Sequence, residues 1–250
     1  MAFPKVIVFG VDGVLLHPLP ALFTWPGETL GLDARTRGLV IRSQSFGIAT
    51  VFVTERTLPY AWRIVATLAP TWTICEYGAL VVDRDGQPDA EWLAHLTPWI
   101  GMSGQQRDGP LWRFRAQLAS DGMITDSTDR LASFRYTSVD GTDPALRALR
   151  TIPPGLTYKA DATGITFLPA TANYVNAVRW LLPDLGCNWP EIAVIGRTDA
   201  DVALLAEAGH PCTFANAAPA AVKLVAEREG LTAYRTSHDG IHDVLLRLQP

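Results

Sequence analysis

Disulfides, metal clusters and membrane spans all lack material in this sequence. Its three cysteines, Cys75, Cys187 and Cys212, form an odd set with no CxxC spacing, which excludes a disulfide framework and a zinc site. They read as small buried hydrophobes in a reducing cytoplasm. No apolar run approaches the ~18 residues of a membrane helix. The apolar start around Lys5 is broken early by Asp12, with no small-x-small cleavage pattern behind it, so it reads as a strand and not a secretion signal. Charge is also scarce. Lys plus Arg is 21 and Asp plus Glu is 25, giving a net charge of −4 with no basic run, which argues against nucleic acid as a partner. Charged residues make up 18% and apolar ones 48%, a balance that excludes disorder. Neither HExxH nor GxSxG occurs, and His17, His95, His210, His238 and His242 show no ligand spacing. His238 and His242, four apart, read as the start of a surface helix. A chain of this length buries roughly 70–75% of its unfolded surface and needs no covalent staple.

What is present has a clear order. Val6-Ile7-Val8-Phe9 is a short β-branched run ending in a turn at 10–13, the pattern of a buried parallel strand. A helix is predicted over 34–46, a second buried strand over 48–53, a helix over 60–68 and a third strand over 73–75. Strand and helix alternating at this spacing imply right-handed βαβ units. The stretch 78–86 reads as a hairpin whose turn is Asp83-Arg84-Asp85-Gly86. From about 87 to 164 the texture changes to Gly, Pro and Trp with antiparallel alternation at 131–139, 156–159 and 165–168. A helix over 174–182, a strand over 192–196, a helix over 202–208, a strand over 212–214 and a helix over 218–229 resume the parallel pattern. The expected fold is a doubly wound α/β core, residues 1–83 and 165–250, split around an inserted α+β cap, residues 84–164.

Ligands of open parallel sheets bind beyond the carboxyl ends of the strands. Those ends carry Gly10-Val11-Asp12-Gly13-Val14, Thr54-Glu55-Arg56 and Gly196-Arg197-Thr198-Asp199-Ala200-Asp201. With Tyr77-Gly78-Ala79-Leu80-Val81-Val82-Asp83, Asn216-Ala217, Val222-Lys223 and Asp239-Gly240-Ile241, they resemble the haloacid dehalogenase superfamily, closest to its Cof-type and sucrose-phosphate phosphatases. The resemblance covers nearly the whole core and the cap only loosely. It implies an Asp nucleophile, a second Asp as acid and base, a Thr and a Lys on the phosphoryl oxygens, and acidic residues holding Mg²⁺.

The sequence departs from that pattern. The nucleophile position is Gly10, the lysine position is Tyr174, and the first metal-binding Asp is Arg197. Asp12 keeps the acid/base position, Thr54 the hydroxyl and Asp201 the second acidic place, with Asp199 as a partial substitute. Arg56 matches the Arg of the family's T-G-R, and the first turn through Gly13 offers backbone N–H donors. No cofactor is expected, although Mg²⁺ stays open if Asp12, Asp199 and Asp201 suffice. Arg197 either grips an anion where the metal would lie or pairs with Asp12 or Asp201 in a dead site. The leading expectation is a pseudo-phosphatase that binds a phosphorylated metabolite, possibly a sugar phosphate, or a protein partner. The alternatives are a phosphomonoesterase working by direct water attack and an enzyme without phosphoryl transfer that uses Asp12 as acid/base. Trp92, Trp99 and Trp112 are read as packing residues, with sugar stacking as the other possibility.

Overall fold

Val6–Gly10 (β1) forms the middle of a seven-stranded sheet in the computed structural model, which describes residues 3–18, 30–101, 107–122, 127–137, 149–161, 164–235 and 237–250. All five residues of this strand are buried, because helices cover both faces. Short strands follow at His17–Pro18 (β2) and Leu30–Gly31 (β3), which pair with each other. The chain then alternates Ala34–Ser45 (α1), Ala49–Val53 (β4), Leu58–Val65 (α2), Trp72–Cys75 (β5) and Leu80–Val82 (β6). After the insert come Tyr174–Leu185 (α5), Ile192–Ile195 (β11), Val202–Glu207 (α6), His210–Phe214 (β12), Pro219–Glu227 (α7), Leu231–Ala233 (β13) and Ser237–Leu248 (α8). The sheet order is β13-β12-β11-β1-β4-β5-β6. Every neighbouring pair is parallel except β5 and β6, which are antiparallel and joined through residues 76–79. The turn expected at 83–86 follows β6 instead: Asp83 accepts hydrogen bonds from the N–H groups of Asp85 and Gln87, and across it Val82 makes a single antiparallel bridge to Pro88.

Side chains of β1 alternate between two apolar clusters, Val6 and Val8 facing one, Ile7 and Phe9 the other. Val178, Leu181, Leu204 and Val225 complete the first face, and Val40, Ile241, Val244 and Leu245 the second. The three cysteines are free and buried. His242 differs from its expected place on a surface helix. It is buried, its Nε2 lies 3.1 Å from Thr36 Oγ1 and 3.6 Å from Asp33 Oδ1, and it clamps α8 to the start of α1. The side chain of His238 lies outside the described residues.

The insert holds helices Ala90–Ile100 (α3) and Pro110–Ser120 (α4) and strands Ser127–Asp129 (β7), Phe134–Thr137 (β8), Leu156–Asp161 (β9) and Gly164–Pro169 (β10). These strands form a second, antiparallel sheet in the order β7-β8-β10-β9. The boundary expected between 164 and 165 therefore falls inside a strand. β10 pairs along its length with β9, so by sheet membership the cap runs on to Pro169. The fully buried pattern of β10 resembles a core strand because it lies beneath α3 and α4. Phe114, Phe134 and Phe167 pack ring to ring there, with Phe134 and Phe167 stacked at 4.9 Å. Trp92 and Trp112 are buried too, as packing residues, while Trp99 is half-buried. Residues 138–139 of the predicted strand 131–139 lie outside the described residues, as do 162–163 in the turn before β10.

Core and cap meet where β5 ends. Glu76, Tyr77 and Gly78 take φ of 55°, 59° and 104° in succession. A Cβ on Gly78 would come within 2.4 Å of the Asn173 backbone, so only glycine lets the turn close against the N-cap of α5. Burial pushes the Glu76 carboxyl above its usual range, opposed by the Ser133 hydroxyl, which donates to it at 2.7 Å, and by Arg130. Both of these partners come from the cap.

Candidate functional site

The carboxyl ends of β1, β4 and β11 bring Gly10, Asp12, Thr54 and Asp201 around one small cavity of about 40 Å³. Tyr174, at the N-terminus of α5, closes it from the side. Asp12 follows β1 in the turn that Gly13 completes at φ 75°. Its carboxylate is engaged at both oxygens, by Thr54 Oγ1 at 2.7 Å and by Arg56 Nε at 2.6 Å. The guanidinium of Arg56 also lies over the Tyr60 ring at 5.0 Å. Thr54 is buried and accepts the Arg56 N–H, so Asp12, Thr54 and Arg56 form one linked set.

Across the cavity, Asp201 Oδ2 accepts three hydrogen bonds: from the Arg197 N–H, the Thr198 N–H and the Thr198 hydroxyl. The aspartate thus caps its own loop. Burial pushes its carboxyl above the usual range, the hydrogen bonds from Thr198 and Arg197 pull it back, and the charge of Asp12 pushes it up again. A Cβ built on Gly10 would lie 3.2 Å from Asp201 Oδ1. Asp201 therefore stands against the place from which a nucleophile would extend.

Tyr174 is buried, with its phenol pushed well above the ordinary value by burial first and then by Asp201, Asp12 and Glu55. It is a neutral group where the family places a cation. Its ring stacks on Tyr77 at 6.2 Å, and the Tyr77 hydroxyl donates to Glu55 Oε2 at 2.7 Å. The guanidinium of Arg197 turns to the Gly13 carbonyl, 3.4 Å from Nη1, and lines no part of the 40 Å³ cavity. Of the two expected partners of Arg197, Asp12 is held by Arg56 instead, while Asp201 is reached by the Arg197 backbone. Asp199 is exposed on the short turn before α6.

Mg²⁺ needs near-octahedral oxygen donors at about 2.0–2.1 Å. The donor set does not fit it. Both oxygens of Asp12 and one of Asp201 already accept hydrogen bonds, and Arg197 and Gly10 replace two carboxylates. Among the described residues no cluster of three or more His, Cys, Asp or Glu side chains could hold a metal. No helix among them is long and apolar enough to cross a membrane.

A second cavity of about 360 Å³ adjoins the first through Tyr174 and Ala200. Tyr77 and Tyr174 line it from the core, and Thr157 and Lys159 from β9 of the cap. Sequence reasoning passed over Glu55 and Tyr77, although both stood in the quoted strand-end segments. Lys159 carried no signal, since only the packing of cap on core turns its strand toward the site.

No protein-family profile matches the chain. A sucrose-phosphatase from Synechocystis sp. PCC6803, solved with sucrose and phosphate, superposes with a TM-score of 0.69 at 14% identity over 97% of both chains. A haloalkanoate (HAD) superfamily phosphatase from Bacteroides thetaiotaomicron gives a TM-score of 0.73 at 14% identity, over 98% of this chain and 95% of its own. This is a haloacid dehalogenase fold. Within this fold the small cavity lies beyond the carboxyl ends of β1, β4 and β11, and the second sheet is inserted between β6 and α5. Two curated relatives span most of the chain. A phosphoglycolate phosphatase from Pyrobaculum aerophilum is 25% identical over 88% of this chain and 86% of its own. One from Pyrobaculum neutrophilum is 27% identical over 82% and 80%. The scaffold is a phosphatase fold with phosphatase-named relatives.

Proposed function

We propose that this protein binds a phosphate monoester in the 360 Å³ cavity between core and cap, without forming an aspartyl phosphate. The observation that carries the reading is Gly10, which has no side chain at the nucleophile position and where even a Cβ would crowd the Asp201 carboxylate at 3.2 Å. Loss of one member of a catalytic set acting as a unit costs on the order of 10⁶ in turnover. Lys159 is the cation that lines the larger cavity, and Tyr77 and Tyr174 give it a flat wall. Phosphoglycolate and sugar phosphates are the probes of choice, given the names of the relatives and of the sucrose-phosphatase. Three unpaired cysteines support a cytoplasmic setting.

A second reading keeps hydrolysis, with Asp12 activating a water directly. The curated relatives favour it, and so does the 40 Å³ cavity beside Asp12, which has room for a water molecule. One experiment separates the two. Purified protein is melted with phosphoglycolate, a hexose phosphate or inorganic phosphate, and phosphate release is followed with Mg²⁺ and with EDTA. Binding without turnover raises the melting temperature by mass action, and Lys159→Ala removes the rise. Steady release that is lost in Asp12→Asn establishes the second reading. No shift and no release with any of these esters sinks both.

A further inference from the structure

A concavity larger than either cavity of the strand-end site lies elsewhere among the described residues. It is a groove of about 890 Å³ between α3 and the second half of α5. Trp72 lines it at the start of β5, whereas the strand-end site lies beyond that strand's other end, so the groove belongs to the opposite edge of the sheet.

Its walls combine aromatic faces with an excess of acceptors. Trp180 is tilted against the buried Trp92 at 5.8 Å, and His95 stacks on both rings at 5.5 and 5.7 Å. The indole N–H groups of this pair are already directed inward, Trp92 to the Gly78 carbonyl and Trp180 to Asp89 Oδ2 at 3.4 Å. The groove is therefore left with π faces and few donors. Glu91 and Asp184 supply two exposed carboxylates beside one guanidinium, Arg179, while the carboxylate of Asp89 is taken up by the Glu91 and Trp92 N–H groups and the Trp180 indole. That guanidinium is held by Asn176 Oδ1 at 3.0 Å and by Glu207 at 3.7 Å. Pro183, on the same wall inside α5, has no N–H to give to the Arg179 carbonyl four residues back. A neutral sugar needs donors and acceptors in pairs. A site of aromatic faces and exposed carboxylates suits a ligand that is cationic and rich in N–H.

We propose that this groove binds a small aliphatic polyamine, its alkyl chain along the indole faces and its ammonium groups at the carboxylates of α3 and α5. The size is that of a small-molecule site. No covalent step is involved, and the proposal stands independently of the phosphate-ester reading.

Isothermal titration with spermidine tests it, together with the eight tryptophan indole N–H signals in a ¹⁵N spectrum. Spermidine should bind with a sub-millimolar Kd and move the signals of Trp72 and Trp180. The double variant Glu91→Gln/Asp184→Asn changes two exposed side chains and should weaken binding about tenfold or more without altering the melting temperature. Trp180→Ala should weaken it by about tenfold as well. The proposal falls if spermidine does not bind at millimolar concentration, or if the double variant binds it equally well. It also falls if Mg²⁺ at matched ionic strength displaces it, which is bare charge attraction, or if methyl glucoside and not spermidine moves Trp180.

Discussion

The two halves of the strand-end site have been built in different ways. On the β4 side, Asp12, Thr54 and Arg56 bond to one another through their side chains, across 42 and 44 residues of sequence. On the β11 side, Asp201 turns back on the N–H groups of its own loop three and four residues away. The first half depends on the tertiary fold and the second largely on local backbone. Both neutralise a carboxylate without a metal, one by a guanidinium and the other by helix-cap geometry. Each of the two carboxylates thus has donors of its own within the chain.

Restoring a carboxylate between the halves should break this arrangement most. Gly10→Asp sets a second buried carboxyl against Asp201, and we expect a loss of about 2–4 kcal/mol in urea denaturation. Adding Arg197→Asp should make the melting temperature rise with Mg²⁺, a response that the unaltered protein should lack. If Gly10→Asp alone is as stable as the parent, the packing of Asp201 against position 10 is not what closes the site. The two arginines come next. Arg56→Met strips a charge-assisted bond from the mostly buried Asp12 and should cost about 1–2 kcal/mol. Arg197→Met loses only a long contact to the Gly13 carbonyl and should stay within about 0.5 kcal/mol. Equal losses would erase the contrast between the halves.

The smallest effect is one of pH. The folded state binds the Asp201 proton more tightly than the unfolded chain does, since burial raises its pKa. The stability this proton contributes is fully present below the ordinary carboxyl value of 3.8 and is lost as pH rises through the raised folded value. Asp201→Asn does not titrate. Its melting temperature relative to the parent should therefore climb across that window, whatever its offset at a single pH. A flat difference from pH 3 to 7 would mean that the local donors fully compensate the burial of Asp201.

Much of this was legible before any coordinates. The core strands announced themselves because parallel strands buried on both faces read as unbroken β-branched runs, as 6–9 and 192–195 do. Gly10, Tyr174 and Arg197 stood out against the family pattern, since strand ends fix where the site must be. The cap was harder to read. The antiparallel alternation at 156–159 and 165–168 is legible, but the boundary at 164 cuts between the two strands, because sequence does not say which sheet an apolar strand joins. The fate of Arg197 was not legible either. Whether its guanidinium meets an anion, a carboxylate or a backbone carbonyl depends on the rotamer that Gly13 leaves room for. His242 was misplaced because its partners, Thr36 and Asp33, lie some two hundred residues away.

The contact between Gly78 and Asn173 means that the cap enters and leaves the core through one narrow doorway. Joining Gly78 directly to Asn173 would excise the whole insert along with β6, the one antiparallel strand of the seven-stranded sheet. What remains is a six-stranded sheet, parallel throughout, that keeps Gly10, Asp12, Thr54, Tyr174 and Asp201 and bares the face of Trp180. Gene surgery at these two codons would show whether the core stands without the cap.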